Sequence, residues 1–95
     1  MGRETYQYSM EQRVRDLSLQ IESVRSRILD GAGDGLRREL AGQLALLERR
    51  RDIVSEKLAA LHDEPDGTWE DLRAELEDDW DALLQDFEER LSSLA

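Results

Sequence analysis

The amino-acid sequence predicts an all-α protein, an antiparallel three-helix bundle or coiled coil, with oligomerisation as one way to complete its core. Three observations predict it. Charged residues make up 38% of the 95-residue chain and hydrophobic residues 39%, a balance rich in Leu, Ala, Glu, Asp and Arg that belongs to long helices. Val and Ile occur singly apart from the Ile53-Val54 pair and never in an alternating run, which argues against strands. Two turn-rich segments, 30–35 and 62–67, divide the remainder into three apolar-periodic stretches.

The first eight residues show no period and are expected to be disordered, leaving 9–95 as a single three-helix domain. Ser9 and Gln12 form a capping box ahead of a helix over about 10–30. Its apolar residues Met10, Val14, Leu17, Ile21, Val24 and Ile28 alternate spacings of 4 and 3, an a/d heptad seam. Asp30-Gly31-Ala32-Gly33-Asp34-Gly35 ends it, with glycines suited to a left-handed C-cap and Asp34 suited to capping the next helix.

The second helix is expected over about 35–62. Leu40, Leu44, Leu47, Val54, Leu58 and Leu61 form its seam, interrupted by Arg51. A second line of Leu46, Ile53 and Ala60 widens the apolar face, as a helix touching two neighbours requires. Arg51 is read as snorkelling towards Asp16 or Asp79, or as a buried polar residue that fixes register or oligomer state. Pro65 stops this helix, and Asp66 or Thr68 caps a third over about 68–94.

The third helix repeats every eleven residues: Trp69, Trp80 and Leu91, then Leu72, Leu83 and Leu94, then Leu76 and Phe87. That period is close to a straight helix and differs from the heptads before it. The mismatch makes Trp69, Leu72, Leu76, Trp80, Leu83 and Phe87 a candidate interface, within the chain or to another. Folding back at Pro65 brings together residues whose numbers sum to about 130, setting Arg49, Arg50 and Arg51 near Asp78, Asp79 and Asp81.

The net charge is −10, and residues 69–95 carry ten acidic against two basic side chains. Such a balance disfavours nucleic acid and anionic membranes as partners. Glu75, Glu77, Asp78, Asp79 and Asp81 form a candidate acidic face, read as solvated or paired with arginine rather than as a metal site. The Asp30–Gly35 segment fails the calcium-loop pattern because Ala32 and Ala41 stand where ligands belong. His62, beside Asp63, Glu64 and Asp66, is read as a contact to the helix dipole.

No nucleophile elbow, phosphate loop or paired zinc ligands occur, so neither catalysis nor a cofactor is expected. The chain has no cysteine, no apolar run of membrane length and no apolar leader at Met1–Tyr6, and a cytoplasmic protein is the expectation.

Gly67-Thr68-Trp69-Glu70-Asp71-Leu72-Arg73, followed by Trp80 and Leu83, resembles the closing segment G-x-W-E-x-L-(x7)-W-x-x-L of small bacterial coiled-coil proteins labelled stress-response or uncharacterised. The matching residues are Trp69, Glu70, Leu72, Trp80 and Leu83. The resemblance implies a helical cytoplasmic protein with a stress link and no catalytic residues. The chain departs from that group in favouring Arg over Lys and in its Gly-rich first turn.

The leading expectation is a helical protein that self-associates or binds a protein partner. Two others are an amphipathic coat or chaperone-like protein for hydrophobic surfaces, and an acidic decoy for a basic protein.

Overall fold

Each periodic stretch forms one helix of 29 residues: α1 (Arg3–Gly31), α2 (Asp34–His62) and α3 (Asp66–Leu94). The computed structural model describes residues 2–31 and 33–94, and among these every side chain except those at 28, 29, 93 and 94. The seam side chains of Ile28 and Leu94, and the turn residue Ala32, therefore lie outside the described set. The result is an all-α, antiparallel three-helix bundle, with no strand among the described residues. Its extents are 51 × 19 × 17 Å, as helices of roughly 43 Å lying side by side require.

The helix ends differ in detail from the sequence expectation. α1 starts at Arg3, not at the Ser9 capping box, so residues 3–8 are helical. The N-cap of α2 is Gly33, in an extended conformation without a side-chain bond, and Asp34 is the first helical residue. There its charge still meets the positive helix end. No described glycine has a positive φ, so the expected left-handed cap is absent from them. At the second turn, the Asp63 and Glu64 amides donate to Ala60 O and Leu61 O at 3.2 Å, tightening the end of α2. The Pro65 carbonyl then accepts from the Thr68 and Trp69 amides, at 3.1 and 3.0 Å, and α3 begins at Asp66.

The heptad seams point inward. Met10, Val14, Leu17 and Ile21 of α1 meet Leu44, Leu47, Val54, Leu58 and Leu61 of α2 and Trp69, Leu76, Trp80, Leu83 and Phe87 of α3 in one core. Among the described residues, the backbones of different helices approach within 8 Å only between α1 and α2 and between α2 and α3. The parallel pair α1 and α3 stand further apart, a gap suited to the bulk of Trp69, Trp80 and Phe87.

Arg51 breaks the α2 seam without entering the core. Its guanidinium leaves the apolar layer to reach Asp52 at 3.0 Å and Ser18 Oγ at 3.4 Å, not Asp16 or Asp79. The α2–α3 register also differs from expectation. Lys57 pairs with Glu75 (2.8 Å) and with Asp79, and Arg50 pairs with Asp86 (3.5 Å), about one turn beyond the anticipated Arg49–Arg51 pairing with Asp78–Asp81. Helical side chains lean towards their own N-terminus. In an antiparallel pair both partners lean towards higher numbers on the other helix, which moves the meeting point by this amount.

Candidate functional site

Five of the six expected interface residues lie in the chain's own core. Trp69, Leu76, Trp80, Leu83 and Phe87 are buried, and Leu72 is half-buried against them. The eleven-residue period of α3 therefore finds its partners within the chain.

The acidic cluster does not form one face. A helix turns about 100° per residue, and the five carboxylates divide around α3. Glu75 and Asp79 flank α2, where Lys57 bonds both. Glu77 flanks α1 and takes Arg73 at 2.9 Å and the Tyr6 hydroxyl at 3.3 Å. Asp78 and Asp81 point outward, and among the described residues no cation reaches them. Lys57 is held above the usual lysine range by its bonds to Asp79 and Glu75. Among the described residues no group of three His, Cys, Asp or Glu converges as a metal site. His62 at the end of α2 contacts Asp63 at 3.1 Å, both exposed.

One cluster escaped sequence reasoning. Arg3 donates to the Leu61 and Glu64 carbonyls at 3.1 and 2.5 Å and to the Asp66 carboxylate at 2.8 Å. It thereby places a cation at the negative C-terminal end of α2, on a carbonyl of its last turn and one of the turn that follows. Its guanidinium also lies 5.1 Å from the Trp69 ring centre. Tyr6 meets Trp69 edge-on at 5.7 Å, and the Arg73 guanidinium lies over the Tyr6 ring, 5.9 Å from its centre. Burial, then the Glu77 charge and hydrogen bond, push the Tyr6 hydroxyl up to about 12. This clamp ties all three helices at one end. Its signal was present in the sequence, since Arg3 and Tyr6 continue the 3 and 4 spacing N-terminally from Met10.

The second apolar line of α2 has a different fate from the one anticipated. Leu46 is 48% exposed and Ile53 43%, and Ala60 is exposed as well. Both α1 and α3 pack on the main seam of α2, and this line falls outside it. Leu46 and Ile53 instead border a groove of about 360 Å³ with Arg49, Arg50, Asp79 and Ala82. Among the described residues Arg49 beside this line, and Glu56 one heptad further on, have no ion-pair partner.

No helix of the described chain is long and apolar enough to cross a membrane. No family model, curated protein or solved structure matches this chain.

Proposed function

We propose that this protein is a non-catalytic helical interaction module that presents the outer edge of α2 to a protein partner. The observation that carries this reading is the heptad-spaced line of Leu46, Ile53 and Ala60, left half-open beside the core and bordering a groove; Tyr8, Leu19 and Leu36 are exposed too, at wider spacing. The Trp-bearing side of α3, the other candidate, is used up in packing. That removes the feature that motivated a coat for hydrophobic surfaces. The cytoplasm is the proposed compartment, and the stress link implied by the resemblance is the proposed setting.

A photo-reactive residue placed at Ile53 tests the reading in cells producing the chain, with Arg15 on the exposed side of α1 as control. Protein adducts from position 53 but not from position 15 are expected. Equal labelling at both positions, or none at either, would sink it.

A second reading has its own observation. Asp71, Asp78 and Asp81 face outward from α3 without a cation among the described residues, which suits a basic partner. Such binding weakens steeply with salt; adducts from position 78 that persist at high ionic strength would count against it.

A further inference from the structure

We infer that the partner seated on the α2 edge is a second copy of this chain, docked antiparallel about a two-fold axis passing near Ile53. This deepens the interaction reading and rests on it. The pattern of the edge is self-complementary. Leu46 and Ala60 lie seven residues to either side of Ile53, so the two-fold axis sets Ile53 against its own copy and Leu46 against Ala60 of the other. Isologous contacts require this kind of self-matching.

The charges obey the same symmetry. Arg49 stands four residues before Ile53 and Glu56 three residues after it. Antiparallel docking carries each Arg49 to within about one residue's rise, roughly 1.5 Å along the axis, of Glu56 on the other copy. Among the described residues both side chains are exposed and without an ion-pair partner in the monomer. Two symmetric ion pairs then flank an apolar centre, the arrangement found across antiparallel helical seams. The same two-fold brings Arg50 to about the height of Lys57 on the other copy, but each is already neutralised within its own chain, by Asp86 and by Glu75 and Asp79. A docking centred on Arg49 and Arg50 would instead oppose four guanidinium groups, so the charge pattern favours the Ile53 register.

A contact along four turns of one helix lies at the small end of protein interfaces, about 1,200 Å² in total or less. The dimer is therefore expected to be weak and concentration-dependent. The net charge of −10 on each copy adds repulsion, so the association strengthens from low to moderate salt as long-range repulsion is screened.

Sedimentation velocity of the intact chain from low micromolar to several hundred micromolar tests the inference. The mass should rise from 11.0 kDa towards twice that value. Ile53→Glu should hold the protein monomeric with unchanged helicity and melting temperature, since Ile53 lies outside the core. Arg49→Glu should weaken association about tenfold, and the double variant Arg49→Glu/Glu56→Arg should restore it. A monomer at every concentration, a dimer indifferent to Ile53→Glu, or a charge swap without rescue overturns the inference. Failure here is separable from failure of the interaction reading. A monomer in sedimentation with adducts from position 53 to a different protein would keep that reading and dismiss the dimer, whereas a monomer without adducts would dismiss both.

Discussion

Replacing Arg3 with alanine is the sharpest probe of the end clamp, because an isolated helix terminus would barely register the loss. The substitution removes two charge-assisted bonds to the Leu61 and Glu64 carbonyls, one exposed ion pair and a stacking contact on Trp69. The Arg3 side chain is 37% exposed and Asp66 almost fully so. The ion pair is therefore worth about 0–0.5 kcal/mol, and each carbonyl bond about 1 kcal/mol rather than its buried value. The cation–π contact contributes roughly 0.5 kcal/mol at such a site. These contributions are not additive, and water recovers part of each, so the net loss is about 2 kcal/mol. For a domain of this size that lowers the melting temperature by roughly 8–16 °C. Circular dichroism melts of wild type and Arg3→Ala measure it, and native-state amide exchange at residues 3–8 shows whether the first turns open separately. A shift below about 2 °C would refute the clamp and return the N-terminus to the frayed state expected from the sequence.

Three further outcomes follow from the same structure. Leu83 is fully buried, and Leu83→Ala should cost about 2–5 kcal/mol in urea unfolding, the range for a leucine cavity; a loss under 1 kcal/mol would mean that the α3 seam is not core. The folded Tyr6 hydroxyl, raised to about 12 from 10.0 chiefly by burial, keeps its proton where the unfolded chain has lost it. Stability is thus intact below pH 10 and falls between pH 10 and 12; melting temperatures over that window should decline less in Tyr6→Phe than in wild type. Lys57→Met removes an exposed bridge to Glu75 and Asp79, so thermal stability should fall by less than about 1 kcal/mol, with the difference from wild type shrinking at 1 M salt.

The seams of α1, α2 and α3 were legible because burial follows spacing: residues three and four apart share a helix face, and one face of each helix must leave water. Gly33 and Pro65 marked the breaks for equally local reasons. Arg3 and Tyr6 were passed over because a periodic search counts apolar residues, and these bury their stems and rings while carrying polar ends. Leu46 and Ile53 were expected to be covered because a second apolar line implies a second neighbour. What one sequence does not encode locally is the angle between neighbours around α2, and α1 and α3 both settle on its main seam and leave that line outside. The acidic residues 75–81 divide for a local reason instead: adjacent in sequence, they are turned about 100° apart by the helix and point to three different sides of α3.

The central position of α2 also bears on how the chain reaches its fold. Two helical hairpins share one strut, and backbone approaches join only helices that are consecutive in sequence. Such low contact order belongs to domains that fold in microseconds to milliseconds. Either hairpin can serve as the nucleus, since neither needs the third helix to close its loop. The contact between Arg3 and Asp66 spans 63 residues and forms only when both hairpins are in place. Weakening the clamp should therefore quicken unfolding and leave the refolding rate nearly unchanged, so that the lifetime of the native state, more than its formation, is set at the end where the three helices are tied.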